Sequence, residues 1–321
     1  MRILVTGGAG FVGSHLCERL IKDGYTVDVI DDFSTGRASN LQALQDSPQF
    51  SLTEGSVLNS ELLHSLIAKS DYVFHLAAAV GVFNIVNNPL ESLMTNIRGT
   101  ENVLESAHKS GKPVFITSSS EVYGKNISNS LKESDDRILG SPVTLRWSYS
   151  EAKAIDESLA YAYFIEKDLE TRIVRFFNTV GPRQLGAYGM VVPRFVKSAL
   201  ANEPITIYGD GTQTRCFAHV FDVIDAVIAV AFAENTTGKV INIGNDFVIS
   251  INNLAQKIIH ETGSKSEIVY VPYQEAYGDG FEDMERRVPN IDLINQLVGW
   301  KPKRDLTTMI SDISKEMKKN S

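Results

Sequence analysis

The chain has few of the features that mark secreted, membrane or metal-binding proteins. Its only two cysteines, Cys17 and Cys216, lie far apart and form no CxxC or Cys/His spacing, so neither a disulfide framework nor a metal site is expected. The longest apolar stretch, DYVFHLAAAVGVFNIV, is interrupted by His75, Gly81 and Asn84, and no long apolar segment opens the chain. These absences predict a cytoplasmic protein with no membrane span.

Clustered positive charge is also missing. The 321 residues carry a net charge of -8, and the lysines and arginines are scattered, so no basic surface for a nucleic acid is expected. A hydrophobic content of 43% with 22% charged residues is typical of an ordinary globular protein. Any anionic ligand must therefore be bound by local residues.

Short runs rich in β-branched residues alternate with longer helical patterns through the first half of the chain. The predicted strands are RILVTG, TVDVID, FSLTEG, DYVFHLA and PVFITSS. The predicted helices span 11–23, 59–69, 89–110 and 149–167, the last of which leads into the strand TRIVRFF. Such alternation predicts an α/β fold built on a doubly wound parallel sheet.

The pattern changes after Gly181 to loops rich in Gly, Pro and Arg, with two short apolar strands, ITIYG and KVINIG. Helices are predicted there near 191–201, 250–262 and 305–318. We therefore expect a first domain over 1–180 that regains one strand near 239–243. A smaller ligand-binding part over 181–321 is expected to lie over the ligand-binding edge of the sheet.

The stretch LVTGGAGFVGSHL places a glycine-rich turn between the first strand and the first helix. Glycines with this GxxGxxG spacing let the backbone approach a pyrophosphate, at which the helix directs its N-terminal amides; they are Gly7, Gly10 and Gly13. The same glycines would also suit a tight turn with small packing residues. The Lys-Ser/Thr pair of a mononucleotide loop is absent.

Two carboxylates at the end of the second strand point to the kind of dinucleotide. Asp31 and Asp32 stand about 20 residues after the glycines, where an acid binds the adenosine ribose hydroxyls. Because a carboxylate there would repel a 2'-phosphate, NAD is expected rather than NADP. Arg37 is a nearby cation, and its charge would favour NADP instead.

The motif SYSEAK places Tyr149 and Lys153 on one face of a helix. A tyrosine has a pKa of about 10, and an adjacent ammonium group and a nicotinamide cation both lower it. The pair is therefore a candidate for proton transfer, with Lys153 also placed to hold the nicotinamide ribose. Tyr and Lys at this spacing also occur on solvated helix faces.

The strand that ends in FITSSSEVYG runs directly into hydroxyl residues and Glu121, at the edge where open α/β sheets bind ligands. With it, the chain resembles the extended short-chain dehydrogenase/reductase family of nucleotide-sugar enzymes. The motifs TGGAGFVG, HLAA, NIRGTENVLE, SSSEVYG, YSEAK, RFFNTVGPR and YGDGTQTRCF occur in the order typical of that family. The resemblance implies a Rossmann fold, NAD as cofactor, a UDP-sugar substrate and a homodimer formed through the helices at 89–110 and 149–167.

The resemblance also implies roles for individual residues. Ser119 and Ser120 would contact the sugar, and Tyr149 and Lys153 would be the catalytic pair. The cofactor pocket would include Phe11, Val12, Ser56, Val57, Leu76, Ala77 and Asn96, with Ser56 and Val57 standing where relatives usually carry an aspartate for adenine. The nucleotide sugar would be held by Asn178, Val192, Tyr208 and Arg215, and the diphosphate by Arg215 together with Arg183.

The residues around the sugar site indicate the reaction. The chain has Ser120–Glu121, as in UDP-glucuronate decarboxylases, where 4,6-dehydratases usually carry Asp-Glu. The stretch RRVPNI resembles their Arg-x-Pro-Asp-Ile segment and places Arg287 at the substrate carboxylate or the C5 proton. The resemblance thus predicts decarboxylation of UDP-glucuronate to a UDP-pentose through a transient 4-keto sugar. The alternative interpretations are that Glu121 is a capping or hydrogen-bonded turn residue and that Arg287 forms a surface ion pair with Asp283 or Glu285.

Two other functions remain open. The stretches AAAVGV and FFNTVGPRQ would also suit a UDP-hexose or UDP-hexuronate 4-epimerase. A non-catalytic, dinucleotide-sensing regulator is the third possibility, although such proteins usually lose the Tyr or the Lys that this chain retains.

Overall fold

The computed structural model describes residues 1–81, 87–186, 190–272, 274–275 and 286–319. Its centre is a seven-stranded parallel sheet in the order β11-β6-β5-β4-β1-β2-β3. The strands are β1 Arg2–Thr6, β2 Thr26–Asp31, β3 Phe50–Glu54, β4 Tyr72–His75, β5 Val114–Ser119, β6 Thr171–Phe176 and β11 Val240–Ile243. The chain winds outward in both directions from β1, which confirms the predicted doubly wound sheet and opens a ligand crevice between β1 and β4.

Helices cover both faces of the sheet. They are Phe11–Lys22, Ser60–Lys69, Pro89–Ser110, Ser148–Lys167, Val220–Phe232 and Asp292–Val298. Local signals set several of their ends: Asn59 accepts a hydrogen bond from the Leu62 amide, Pro89 stands in the first turn, and Gly111 ends its helix in the left-handed conformation. The predicted helices of the first half therefore differ from the observed ones by at most one residue at either end.

The helix Val220–Phe232 was not predicted from the sequence. Its residues, VFDVIDAVIAVAF, are apolar on nearly every side, so they show no 3.6-residue period. The structure explains this composition, because the helix is buried against the sheet and against Phe11–Lys22. Residues after 181 thus help to form the core of the main sheet.

A second apolar cluster lies in the C-terminal half. It joins the helices Val191–Ala201, Ile251–Thr262 and Leu306–Lys319, all three close to their predicted positions. Short strands complete this part: β7 Thr179–Val180, β8 Ile205–Tyr208, β9 Thr214–Cys216, β10 Ala218–His219, β12 Val248–Ser250 and β13 Ile268–Val271. The cleft described below lies between this cluster and the carboxyl ends of the main strands.

Cys17 and Cys216 are both buried free thiols. None of the helices in the described ranges combines the length and apolar composition that a membrane span requires.

Candidate active site

The turn after β1 forms a close-fitting backbone cradle. Gly7 has a φ of +71°, and a Cβ there would lie 2.7 Å from the amide nitrogen of Ala77. A Cβ on Gly13 would lie 2.2 Å from the carbonyl oxygen of Gly7, so the helix can approach the turn only with glycine at this position. The helix Phe11–Lys22 consequently directs its N-terminus into the crevice, where a pyrophosphate fits.

Asp31 closes the other end of this pocket. Its carboxylate accepts hydrogen bonds from the amides of Ala9 at 2.8 Å and Phe33 at 2.9 Å. Burial raises the pKa of this carboxyl group, while the two amides lower it. A carboxylate can accept about four hydrogen bonds, so Asp31 retains the capacity to bind ribose hydroxyls. The glycine cradle and this acid together fit NAD. Arg37 lines a neighbouring groove instead of this pocket.

The nicotinamide end of the pocket is formed by the helix Ser148–Lys167. Tyr149 and Lys153 both line the pocket, as the SYSEAK spacing predicts. The Lys153 Nζ donates to Asp156 Oδ2 at 3.0 Å, and both side chains are almost fully buried. Burial lowers the pKa of Lys153, but Asp156 and Tyr149 raise it and the net direction is upward, so Lys153 remains an ammonium.

The pKa of Tyr149 differs in direction from the sequence-based expectation. Burial raises it most, the Glu121 and Asp156 carboxylates raise it further, and Lys153 and a hydrogen bond with Ser119 lower it. The net shift is upward. Lys153 alone therefore does not bring the phenol below its ordinary pKa, because burial outweighs the effect of the ammonium group and the carboxylates of Glu121 and Asp156 add to the upward shift. A further positive charge at the nicotinamide position would favour the phenolate.

Glu121 stands between two arginines at the sugar end of the cleft. Its Oε1 accepts from Arg287 Nη2 at 2.6 Å, and its Oε2 accepts from Arg146 Nη1 at 2.5 Å. Burial raises the pKa of the Glu121 carboxyl group, but Arg287 and Arg146 more than offset this and lower it to about 2. Glu121 is thus an anion that holds two guanidinium groups in place.

Arg287 reaches this position through a backbone bridge. The Leu131 amide donates to the Val288 carbonyl, and the Asn290 amide donates to the Leu131 carbonyl, both at 2.8 Å. The Asn242 side chain at the end of β11 donates to the same Leu131 carbonyl at 2.9 Å. These bonds attach the Arg287 segment to the main sheet.

A cleft continues from the dinucleotide pocket toward the C-terminal half. The two share Phe11, Ser119, Tyr149 and Phe176 among their lining residues. The far end of the cleft carries the predicted nucleotide-sugar residues Asn178, Val192, Tyr208 and Arg215, and also Arg194, whose guanidinium lies 4.4 Å from the centre of the Tyr208 ring. A nucleotide diphosphate sugar bound along this cleft would place its sugar between Tyr149 and the Glu121 cluster.

A comparison with protein families decides the assignment. The model described as the NAD dependent epimerase/dehydratase family matches residues 3–244. The chain belongs to the NAD-dependent epimerase/dehydratase family. The glycine cradle, Asp31 and the Tyr149–Lys153 pair therefore stand in an NAD-dependent enzyme.

Individual relatives show which enzymes of this family the chain is similar to. The chain is 40% identical over 302 residues to a UDP-N-acetyl-alpha-D-glucosaminuronate decarboxylase of Bacillus cytotoxicus, with 94% of this chain and 92% of that protein covered. It is 36% identical to UDP-glucuronic acid decarboxylase 1 of Xenopus tropicalis, covering 94% of this chain and 68% of that protein. Among solved structures, the UDP-glucuronic acid 4-epimerase of Bacillus cereus in complex with UDP-glucuronic acid and NAD superposes over 100% of both chains, with 29% identity and a TM-score of 0.90.

Most residues that the sequence assigned to the cofactor line the dinucleotide pocket. They are Gly7, Gly10, Phe11, Val12, Gly13, Asp31, Asp32, Val57, Leu76, Ala77, Tyr149 and Lys153. Ser56 is not among the lining residues, and its hydroxyl accepts a weak hydrogen bond from the Leu58 amide at 3.4 Å. Asn96 is not a lining residue either, but its buried side-chain amide holds the backbone of Ala79. It accepts a hydrogen bond from the Ala79 N–H at 2.7 Å and donates one to the Ala79 carbonyl at 3.2 Å.

Two residues at the substrate side depart from expectation. Ser120 has no exposed surface, because the chain turns into the short helix Ser120–Tyr123 and directs it inward; its hydroxyl lies 3.4 Å from Arg287 Nη1. It supports Arg287 rather than facing the sugar. Arg183 binds Glu18 at 2.5 Å and Ser14 at 3.1 Å, which places it on the dinucleotide side instead of at the substrate diphosphate.

Some predictions concern residues outside the described ranges. The alternative partners of Arg287, Asp283 and Glu285, lie there, as does the last residue of AAAVGV, Val82. The surface interpretation of Arg287 nevertheless does not hold, since this side chain is 9% exposed and binds Glu121.

Three polar residues of the site were missed from the sequence: Arg146, Asp156 and His75. Asp156 had a local signal, because it lies three residues after Lys153 on the same helix, whereas the local sequence gave none for Arg146. His75 stands in HLAA and is fixed between Thr6 Oγ1 at 2.8 Å and Thr100 Oγ1 at 3.1 Å. Burial lowers the pKa of His75 to about 3, so the ring is neutral and connects Thr6 on β1 to Thr100 on the helix Pro89–Ser110.

Proposed function

We propose that this chain decarboxylates a UDP-sugar with a C6 carboxylate, UDP-glucuronate in the first place, to a UDP-pentose. The observation that carries the proposal is the ion pair of Arg287 and Glu121 at 2.6 Å, in the same cleft as Tyr149. A buried guanidinium held by a carboxylate is suited to a second carboxylate, that of the substrate. The two decarboxylase relatives support this choice, because both are named for a substrate with a uronate sugar.

The reaction begins with oxidation at C4. Tyr149 as phenolate takes the proton from the 4-hydroxyl group, and Lys153 holds the ribose and the charge next to it. The pocket lined by Gly7, Gly13 and Asp31 would hold NAD, which when bound would supply a hydride acceptor next to C4. Ser119 lies within hydrogen-bond reach of the Tyr149 phenol and thus of the O4 position.

Decarboxylation then follows from the chemistry of a β-keto acid. Once C4 is a carbonyl, the C5–C6 bond can break, carbon dioxide leaves, and the electron pair moves into the C4 carbonyl as an enolate. Ser119 and the protonated Tyr149 donate hydrogen bonds to the enolate oxygen. Glu121 is ionised, so its part is to hold Arg287 rather than to supply the C5 proton. C5 then takes up a proton that comes from water, Tyr149 returns its proton to O4, and the hydride removed from C4 would be returned to that carbon to complete the UDP-pentose.

A 4-epimerase acting on the same uronate is the second candidate. It is favoured by the likeness to the UDP-glucuronic acid 4-epimerase structure, which spans the whole of both chains. In that reaction the C5–C6 bond stays intact, and the 4-keto sugar turns before the hydride returns. The two reactions share the residues at C4 and differ in the fate of the carboxylate.

We further propose a homodimer that acts in the cytoplasm. The helices Pro89–Ser110 and Ser148–Lys167 pack side by side, and Leu90, Tyr161 and Ile165 on them are 70%, 49% and 57% exposed. A second copy would cover these apolar side chains. Two free cysteines agree with a reducing compartment.

Product analysis tests the proposal. The purified protein with NAD would be incubated separately with UDP-glucuronate, UDP-N-acetylglucosaminuronate and UDP-glucose, and the products followed by NMR and mass. We expect loss of the carboxyl carbon from a uronate and poor reaction of UDP-glucose. Formation of a C4-epimerised uronate of unchanged mass would favour the second candidate.

A further inference from the structure

Asn242 lies where two parts of the sugar site meet the main sheet. It stands near the carboxyl end of the edge strand β11 and is fully buried. Its Oδ1 accepts a hydrogen bond from the Tyr123 hydroxyl group at 2.8 Å, and its Nδ2 donates one to the Leu131 carbonyl at 2.9 Å. An asparagine suits this place, because the two bonds require an acceptor and a donor at the end of one short side chain.

The first bond holds the element that carries Glu121. Tyr123 is the last residue of the short helix Ser120–Tyr123, and its ring is fully buried. The Arg175 guanidinium lies 4.7 Å from the centre of this ring. Tyr123 is therefore held from two sides, by Arg175 on β6 and by Asn242 on β11.

The second bond holds the backbone that carries Arg287. The Leu131 carbonyl that accepts from Asn242 also accepts from the Asn290 amide at 2.8 Å, and the Leu131 amide donates to the Val288 carbonyl at 2.8 Å. Arg287 directly precedes Val288 in the chain. The position of its backbone thus depends on Leu131 and, through Leu131, on Asn242.

The neighbour of Asn242 in the sheet holds the catalytic helix. Arg175 on β6 is the direct partner of Asn242 on β11 in the strand register. Its guanidinium donates two hydrogen bonds to the Glu157 carboxylate, at 2.9 Å and 2.7 Å, and both side chains are buried. Glu157 follows Lys153 by one helical turn. The same sheet edge thus sets the position of the catalytic helix and that of the Arg287 backbone relative to each other.

We infer that Asn242 is a positioning residue for the sugar end of the cleft: by holding Leu131 it places Arg287 where the C6 carboxylate of a uronate sugar would lie. This inference rests on the proposed function, since it concerns the same substrate site. Asn242 is absent from the described lining residues of the cleft, so it acts through Arg287 and not on the ligand.

The nucleotide end of the cleft has a different support. Val192 and Phe217 line the cleft there and are buried in the second apolar cluster, between the helices of the C-terminal half. Loss of the Asn242 side-chain amide should therefore affect binding of the uronate sugar and spare binding of UDP.

The test measures binding without turnover, in the NAD-loaded protein with Tyr149→Phe as the background. Calorimetry would give Kd values for UDP-glucuronate and for UDP. Asn242→Leu keeps a side chain of similar size, removes both hydrogen bonds of the amide and adds no charge. Arg287→Met, alone and combined with Asn242→Leu, completes a double-mutant cycle.

Asn235→Leu is the matched control. Asn235 also donates from its side-chain amide to a distant backbone carbonyl, that of Leu297 at 3.0 Å. It precedes β11 and lies toward the amino ends of the strands, whereas the cleft lies at their carboxyl ends. Circular dichroism and NAD binding would show whether each variant folds. If Asn242→Leu does not, Asn242→Ser, which shortens the side chain and removes the amide, takes its place.

The weakening should be confined to the uronate and should act through Arg287. Asn242→Leu should raise the Kd of UDP-glucuronate about threefold to tenfold and leave the Kd of UDP unchanged. Arg287→Met should raise the Kd of UDP-glucuronate by about tenfold or more. The double variant should bind UDP-glucuronate only as weakly as Arg287→Met alone, and Asn235→Leu should match the background.

Equal weakening of UDP and UDP-glucuronate in Asn242→Leu would overturn the inference, since it would show a general structural role. So would losses that multiply in the double variant, or an unchanged Kd of UDP-glucuronate in either single variant. Failure of the proposed function would appear separately, as absence of carbon dioxide release by the wild-type protein, because these Kd values do not depend on which reaction follows binding.

Discussion

The Lys153 ammonium group lies 3.0 Å from the carboxylate of Asp156, one helical turn further along, and neither side chain is more than 2% exposed. This buried pair changes how the Tyr149–Lys153 motif works. Asp156 keeps Lys153 protonated but also raises the pKa of Tyr149. Since burial is the main cause of the raised pKa, a tyrosine that acts as the proposed base would need a further positive charge, such as that of NAD, next to it.

Replacing Asp156 by Asn should therefore move the pH dependence of the reaction. Loss of the negative charge lowers the pKa of Tyr149, and the rising limb of kcat against pH should shift toward lower pH. The groups that face the pair, Glu121, Glu157 and His75, remain in the variant. Glu151→Gln, which alters an exposed carboxylate on the same helix, should leave the limb in place. A rising limb that stays unmoved in Asp156→Asn would contradict this role.

The cofactor preference should depend on Asp31. We expect the wild-type protein to bind NADH far more tightly than NADPH, because the carboxylate accepts from ribose hydroxyls and repels a 2'-phosphate. Asp31→Asn should narrow the ratio of the two Kd values by about tenfold or more, as fluorescence titration would measure. Equal affinities in the wild type would exclude the role given to Asp31.

Loss of the Tyr149 hydroxyl group should affect chemistry and spare binding. Tyr149→Phe removes the proton acceptor at O4, so kcat should fall about 100-fold or more. The Kd of UDP and the thermal unfolding midpoint should stay close to wild type, since the ring remains in place. Turnover near the wild-type rate would mean that another residue is the base.

His75 should make the fold sensitive to acid. Its pKa is about 3 in the folded protein against an ordinary value of 6.5, so between these values the unfolded chain binds a proton that the native state does not. Its contribution to stability is therefore complete above about pH 6.5 and is lost as the pH falls toward 3. Protonation of His75 in the unfolded chain alone should lower the free energy of unfolding of the wild type by about 2 to 3 kcal/mol between pH 7 and about pH 4.5.

Urea unfolding at several pH values would measure this effect. His75→Gln keeps a hydrogen-bonding side chain between Thr6 and Thr100 but does not titrate, so its stability should fall less over the same range. His15, whose pKa burial lowers to about 4, stays in both proteins and gives a shared background. If the free energy of unfolding fell with pH to the same extent in the two proteins, His75 would be excluded as the source of the acid sensitivity.

Much of the fold could be predicted because its signals are local. The alternation of strands and helices, the glycine turn, and the shared face of Tyr149 and Lys153 all depend on residues within one or two turns of each other. The helix Val220–Phe232 escaped prediction because burial on most sides removes the periodic pattern. The direction of the Tyr149 pKa escaped it as well, because that depends on burial and on Asp156.

The sugar end of the site depends on contacts between distant parts of the chain. Glu121 and Arg287 are separated by 166 positions, and only the family likeness brought them together before the structure did. Arg146 joins Glu121 across 25 positions, and nothing in its local pattern distinguishes it from a surface arginine. Such ion pairs form at the edge of the sheet, where the fold and not the local sequence sets the neighbours.

Release of labelled carbon dioxide from UDP-glucuronate labelled at C6 tests the central proposal most directly. We expect the wild-type protein with NAD to release the label and to form a UDP-pentose or its 4-keto form. Arg287→Met, which keeps similar bulk without the charge, should lose on the order of 2 to 5 kcal/mol of interaction with the carboxylate, and the rate should fall about 30-fold or more. Wild-type protein that releases no label and instead forms the C4-epimerised UDP-hexuronate would contradict the decarboxylase assignment.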